Sequence, residues 1–277
     1  MLSPLVIEIP FARAGEPNYL LRRCVSNHLT IFPQLPCNIS FQGGDMAKTS
    51  EDDGVLFRPI AYVRSGFHSK FAIPRQSGLV DSTRAFIEFC PPYRKAEALR
   101  GLEMFSHLWL LWIFHQAHKA SSLTVRPPRL GGDRRLGVFA TRSPFRPNPI
   151  GLSSVKIIDI DENTSRGPII TVAGADLVDK TPLIDIKPYI HNDCRRDIRD
   201  DFTQINSDYE CKVTDPCGYL EKIPQTIAET IMGIIAQDPR PAYHCDPTRI
   251  YGFEYDDYHI AFQVDDRIAT IITIDML

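Results

Sequence analysis

Six arginines (Arg126, Arg129, Arg134, Arg135, Arg142 and Arg146) stand against one acid, Asp133, between Thr124 and Gly151. That local excess of five positive charges sits in a chain of formal net charge −3, so the remaining residues sum to −8. Five prolines and four glycines punctuate the segment. It is therefore largely irregular, since proline fixes φ and removes a donor while glycine frees the backbone. Its middle, Leu136 to Thr141, reads as a short strand. A guanidinium offers paired, planar donors that match carboxylate or phosphate, so arginines on a proline-pinned loop make a frame for anionic ligands. The plainer alternative is a solvated basic surface loop.

No G-x-G turn is followed by a downstream acid, so a nucleotide-like ligand would have to be held by loops and not by a doubly wound sheet. The seven cysteines are odd in number and form no C-x-x-C pair. This argues against a disulfide framework and a zinc ribbon, and fits a reducing compartment. Cys211 and Cys217 could bridge or share a metal, with free thiols the simpler expectation.

The runs GVFATRSPFRPNPIG (137–151), PRQ (74–76), GLEMFSHLWLLWIFHQ (101–116), RPPRLGG (126–132) and DLVDKTPLIDIKPY (176–189) closely resemble the TrmO (TsaA-like) family. A further patch, AQDPRPAY (236–243), is similar to that family's C-terminal region. The resemblance implies S-adenosylmethionine-dependent methylation of threonylcarbamoyladenosine at tRNA position 37, beside the anticodon. It implies a small β-barrel, a homodimer with the cofactor near the subunit boundary, and a cytoplasmic enzyme without a metal. By the same resemblance, cofactor contacts fall on Pro74, Arg75, Gln76, His115, Gln116, Arg142, Leu152, Asp176, Leu177, Val178 and Asp179. Each type suits the ligand. Gln76 and Gln116 can pair with adenine or amino-acid groups, Arg142 with the methionine carboxylate, and Asp176 or Asp179 with ribose hydroxyls or the ammonium. Leu152 and Val178 would wall an apolar slot or simply pack in the core. His115 is either a structural histidine or a cofactor contact, and no general base is assigned.

Arg126, Arg129, Arg134, Arg135 and Arg146 suit tRNA phosphates, which give affinity and salt dependence without reading sequence. Arg240, with Tyr243, could add a platform for an unstacked base; alternatively, the proline-fixed DPRPAY turn fastens the C-terminal part to the barrel. A non-catalytic RNA- or nucleotide-binding barrel is the competing expectation, and a barrel acting on a small phosphate-bearing ligand is a third.

These residues need elements to hold them. With 277 residues and 43% hydrophobic content, one large core or two smaller ones can form. The longest apolar run, Leu108 to Phe114, is far below the roughly 20 residues that span a bilayer. Residues 1–54 show no periodicity and are expected to be a poorly ordered extension outside the chemistry. Pro4 and Pro10 and the lack of a preceding basic region speak against a signal peptide.

Strands are expected at Arg58–Ser65, Ala85–Cys90, His107–Gln116, Ile150–Ile160, Ile169–Ala173 and Leu183–Ile186, with a short helix over Arg94–Phe105. Many strands without strand–helix alternation point to a mainly β, antiparallel-rich barrel over 55–190. A smaller α+β unit over 191–277 follows. It has a polar connection at 191–210, an amphipathic helix over Pro224–Gln237, and a hairpin of Ile250–Asp265 with Ile268–Met276.

Overall fold

The computed structural model describes residues 56–118, 122–127, 135–195, 197–199, 209–241, 244 and 246–277. The chain divides into two compact units, Met1–Pro59 and Ile60–Leu277, and every described strand and helix lies in the second. The extension expected over 1–54 falls outside the described residues.

Alternation of apolar and polar residues builds the first layer. Strand β1 is Ala61–Ser65, β2 Arg84–Phe89, β3 His107–Ile113, β4 Thr124–Val125, β5 Leu136–Gly137, β6 Ile150–Asp161, β7 Ile169–Ala173 and β8 Pro182–Pro188. Six of them close into the expected barrel in the order β1-β2-β7-β6-β3-β8, each neighbouring pair antiparallel. A six-stranded barrel leaves room only for side chains. Ala61, Val63, Ala85 and Ile87 meet Leu108, Leu110, Trp112, Val155, Ile170, Val172 and Leu183 inside it. Strands β4 and β5 form a separate two-stranded ribbon.

The second layer is the expected smaller α+β part. It contains β9 (Lys212–Thr214), α1 (Gln225–Ala236), β10 (Ile250–Tyr255), β11 (Tyr258–Asp265) and β12 (Ile268–Met276). Its sheet runs β10-β11-β12-β9, with β9 parallel to β12. Helix α1 buries Ile231, Ile234 and Ile235, spaced for one face, in a core with Phe253, Phe262, Val264 and Ile271.

Three local expectations are corrected. Arg94–Phe105 is not a helix. It forms separate 3-10 turns at Ala96–Ala98 and Leu102–Met104, after one at Pro91–Tyr93. Gly101 between them takes φ +90°, outside the helical region, and Leu99 alone of that stretch is buried. Leu136–Thr141 stops being a strand after Gly137 and turns through Val138–Ala140, which drops Val138 to 1% exposure. The run Ile250–Asp265 breaks at Asp256-Asp257, so the C-terminus is a three-stranded meander and not one hairpin. Asp256 (φ +53°) and Asp266 (φ +51°) open the two tight turns, a backbone state that aspartate tolerates better than most residues.

The loop leaving β1 joins the layers. Phe67 and Ala72 belong to the C-terminal core, and Phe67 packs edge-on against Tyr255 with ring centroids 5.0 Å apart. A ring nitrogen of His68 lies 3.0 Å from the Asp256 carbonyl oxygen. The loop then returns to the barrel as Pro74-Arg75-Gln76.

Candidate functional site

Antiparallel pairing fixes where the connections go. Ser65 at the end of β1 pairs with Ala85 at the start of β2, Ala173 ends β7 beside Arg84, Ile113 ends β3 beside Ile150, and Leu183 at the start of β8 pairs with Ala61. Three connections, 66–83, 114–149 and 174–181, therefore cover the same mouth of the barrel. They carry Pro74-Arg75-Gln76, His115-Gln116 with Arg142, and Asp176 to Asp179; Leu152 lies on β6 just beyond. The topology thus gathers segments up to about a hundred residues apart in sequence.

One group of side chains is built around Asp176. Arg142 Nη1 donates to Gln76 Oε1. The Ser153 hydroxyl donates to Asp176 Oδ1 at 2.6 Å and accepts from Trp112 Nε1 at 2.9 Å. The Ser77 backbone N–H also binds the Asp176 carboxyl, while Ser77 Oγ accepts the Ser154 N–H at 3.1 Å. Burial pushes the Asp176 carboxyl above its ordinary value. The Ser153 hydroxyl, its own backbone, Arg142 and Ser77 pull the other way. Residue 176 keeps some surface, but its carboxyl sits deep among neighbouring atoms.

Gly151 makes this possible. A Cβ there would lie 2.3 Å from Trp112 Cε2, so the indole occupies the space a side chain would need. Ser77, Ser153 and Trp112 support this group, and no motif in the sequence singles them out. A buried tryptophan whose N–H requires a partner was the available signal, because such groups rarely go unpaired.

A second group surrounds His115. Burial pushes its imidazole below the ordinary value; the Ile113 carbonyl raises it, Lys70 lowers it further and Asp179 raises it. Lys70 Nζ donates to the Gln116 carbonyl oxygen. Asp179 Oδ1 accepts the Ser65 N–H at 3.2 Å and lies 3.6 Å from Arg64 Nε. Asp179 therefore fastens the end of β1, and Asp176 is the carboxylate of the pair that interacts with Arg142. The shared turn links the two groups.

Other expected residues are placed differently. Leu177, 1% exposed, belongs to the barrel core and Val178 is buried, so their side chains pack inward. Leu152 points away from the core, 52% exposed, opposite Leu111. Pro74 is buried, and Arg75 Nη2 donates to the carbonyl oxygens of Asp238 at 3.0 Å and Arg240 at 3.5 Å. Arg126 and Arg135 are exposed on the β4–β5 ribbon, and Arg146 Nη1 reaches the Thr141 carbonyl oxygen at 3.2 Å. Arg129, Arg134 and Tyr243 lie outside the described residues.

Arg240 is spoken for. Its Nε and Nη2 hold both oxygens of Asp238 at 2.8 and 2.9 Å, and its Nη1 donates to the Val264 carbonyl oxygen at 3.3 Å. Its side chain is 9% exposed. All three of these donors are engaged within the C-terminal part, on the Asp238 carboxylate and the Val264 carbonyl oxygen.

Among the described residues no group of three or more His, Cys, Asp or Glu side chains could hold a metal ion, and no helix is long and apolar enough to cross a membrane.

Similarity follows the same map. The model of the tRNA-methyltransferase O N-terminal domain matches residues 62–194, and that of the TrmO C-terminal domain matches 204–277. Over 220 residues the chain is 40% identical to the tRNA (adenine(37)-N6)-methyltransferase of Escherichia coli, covering 76% of this chain and 93% of that protein. A Pseudomonas aeruginosa protein named putative S-adenosylmethionine-dependent methyltransferase RcsF is 44% identical over 205 residues, 70% of this chain and 86% of its own. The crystal structure of TrmO from Pseudomonas aeruginosa aligns with a TM-score of 0.63 at 35% identity, covering 79% of this chain and 98% of that one. Likeness that runs through both layers and nearly the full length of these relatives is common descent, and the chain belongs to the tRNA-methyltransferase O family.

Proposed function

We propose that the protein transfers a methyl group from S-adenosylmethionine to N6 of threonylcarbamoyladenosine at tRNA position 37, giving the N6-methylated base, as a cytoplasmic homodimer. The observation that carries this reading is the group at the barrel mouth: a guanidinium held by Gln76 beside a buried carboxylate held by Ser153 and Ser77. A cation and an anion side by side fit an amino-acid zwitterion and a nearby sulfonium, so the donor set suits the cofactor. Bound there, S-adenosylmethionine supplies an electrophilic methyl group on sulfur.

The chain's own residues then bind and orient. Arg142 takes the cofactor carboxylate with its planar fork, steadied by Gln76. Asp176 faces the ribose hydroxyls or the cationic part, its orientation fixed through Ser153 by Trp112. The N6 proton of the target is acidified by the adjoining carbonyl, so holding the nitrogen in line with the methyl group supplies most of the acceleration. The proton leaves late, to a carboxylate or histidine at the mouth. Burial lowers the His115 pKa and favours the neutral imidazole, which is the form that can take up a proton.

Arg126, Arg129, Arg134, Arg135 and Arg146 are assigned to tRNA phosphates, and Arg240 to the fastening turn. The barrel over 55–190 is the catalytic body, 191–277 its smaller companion, and 1–54 lies outside the chemistry. Dimerisation is supported by Leu152 and Phe145, which stay about half exposed close to Arg142 in sequence (52% and 46%), whereas Val138 packs within its own fold.

The test is a methylation assay on tRNA with and without the threonylcarbamoyl group. Methylation of the modified tRNA alone is expected. Equal methylation of both refutes the substrate, and cofactor binding without any transfer turns the protein into a non-catalytic barrel. For the dimer, sedimentation equilibrium should give twice 31.4 kDa, and mixing two different inactive site variants should restore partial activity. A monomeric mass without complementation overturns that part.

A further inference from the structure

The 3-10 turn Val138–Ala140 has an arrangement that the cofactor site does not use. Val138 is 1% exposed, whereas the next residue, Phe139, is 77% exposed. The backbone of this turn is hydrogen-bonded on both sides. The Val138 N–H donates to the Leu123 carbonyl oxygen at 2.9 Å, and the Val138 carbonyl oxygen accepts both the N–H and the hydroxyl of Thr141 at 3.1 and 2.9 Å. The flanks are braced as well. Arg135 Nε donates to Thr124 Oγ1 at 3.0 Å, and the Ser143 N–H reaches Thr141 Oγ1 at 3.3 Å.

The surroundings are cationic. Over 122–127 and 135–150 the chain has four arginines, Arg126, Arg135, Arg142 and Arg146, and no acid. None of the four forms an ion pair among the described residues. Arg142 is engaged by Gln76 beside Asp176, which leaves Arg126, Arg135 and Arg146 without a carboxylate among the described residues. An exposed aromatic ring on a segment with those charges matches an unstacked nucleobase flanked by its own phosphates. Apolar peptide partners would leave those charges unanswered, and an acidic peptide would leave the ring unanswered.

We propose that Phe139 is a stacking platform for an anticodon-loop base next to the target adenosine. It takes the place that the target's neighbour loses when the target leaves the stack. Hydrogen bonds hold the backbone of the turn, so less chain ordering opposes the contact than on an unbonded loop. This rests on the tRNA reading above and adds to it the residue that holds the loop open. Phe139 acts by positioning the RNA and touches neither the methyl group nor its acceptor.

The experiment uses the full chain and an anticodon stem-loop RNA containing 2-aminopurine at the nucleotide adjoining the target. Binding to the unaltered protein should change 2-aminopurine fluorescence. Phe139→Ala and Phe139→Leu should weaken binding about 5- to 150-fold, the range for one lost base–aromatic stack, and abolish the fluorescence change. Phe139→Tyr should restore both, while S-adenosylmethionine affinity by calorimetry stays constant in all three. Leucine performing as well as phenylalanine overturns the platform, because apolar burial alone would then suffice. A halved sedimentation mass in the leucine variant also overturns it, by assigning the ring to a subunit contact. If the unaltered protein prefers this stem-loop no more than an unrelated hairpin, the tRNA reading itself falls. Tight wild-type binding with indifferent variants removes only the platform.

Discussion

Gly151→Ala should damage both stability and cofactor binding, although it adds one methyl group to a barrel strand. The new Cβ would lie 2.3, 2.4 and 2.6 Å from three atoms of the Trp112 ring. Carbon atoms pack at about 3.5–4.0 Å, so the ring has to retreat by an ångström or more. It has little room to do so. Trp112 is 8% exposed and is held edge-on by Phe114, with centroids 4.2 Å apart. Overpacking of this kind costs about 1–3 kcal/mol, and loss of the indole hydrogen bond to Ser153 about 1 kcal/mol more. Replacing a strand glycine returns about 0.5–1 kcal/mol. The net loss is about 1–3.5 kcal/mol, or a Tm lower by about 2–14 °C for a unit of this size. Thermal unfolding followed by near-ultraviolet circular dichroism reads it directly. The same variant should bind S-adenosylmethionine less tightly, since Ser153 is the link between Trp112 and Asp176. Trp112→Leu in the same chain should recover part of the Tm, so that the double variant is more stable than additivity allows. A Gly151→Ala protein with unchanged Tm and unchanged affinity, or strict additivity in the double variant, would refute the packing argument.

Asp176→Asn should lower cofactor affinity about 10- to 150-fold, the scale of a hydrogen bond to a charged group. Because burial raises the Asp176 pKa, wild-type affinity should already decline at a pH where an ordinary aspartate is still ionised. Titration calorimetry across acidic pH should show that decline in the wild type and none in the asparagine variant. Arg240→Ala should cost about 3–5 kcal/mol in denaturant unfolding, because it strands the covered Asp238 carboxylate. Burial alone would raise the Asp238 pKa, but hydrogen bonds from Arg240 and Tyr209 outweigh it and the net shift is downward. The stability contributed by that pair is therefore full above 3.8 and lost as the pH falls further, and acid unfolding of the variant should lack this component. Replacing Arg126 and Arg129 by alanine together should flatten the log–log salt dependence of tRNA binding by about two, at about 0.9 per phosphate; an unchanged slope means that neither touches a phosphate. Deleting residues 1–45 should leave S-adenosylmethionine affinity unchanged, and a large loss would show that the extension contributes to the site.

Where side-chain alternation governs, the sequence was enough to place the elements. The expected strand Ile169–Ala173 matches to the residue, and Ile150–Ile160 is one residue short of the strand that forms. The misses have a common cause. Apolar residues at helical spacing in Arg94–Phe105 say that something is covered, not by what geometry, and the extended backbone at Lys95 and the positive φ of Gly101 break the helix. Likewise Tyr255-Asp256-Asp257-Tyr258 contains neither glycine nor proline, so a tight turn built on an aspartate with positive φ was hidden inside an apparently continuous strand.

The site was legible by residue type and not by partner. Arg142, Gln76 and Asp176 announce themselves as groups that bind charge, but nothing in the sequence distinguishes Asp176 from Asp179. The distinction comes from the strand ends. Ser65, the last residue of β1, offers a backbone N–H that only the nearer carboxylate can take, and Asp179 is spent on it and on Arg64. A similar division separates Arg75 from Arg142. The loop bearing Arg75 is drawn into the C-terminal core by Phe67 and Ala72, and its guanidinium ends on the carbonyl oxygens of Asp238 and Arg240. The turn at Asp238 to Arg240 is in turn locked by its own ion pair and by the Tyr209 hydroxyl, 2.9 Å from Asp238 Oδ2. Gln76 therefore inherits its position from a layer that contributes none of the expected cofactor contacts. Loosening that layer should weaken the grip on Arg142 before it unfolds the barrel, since the six barrel strands close on themselves and need no edge covered by the second sheet.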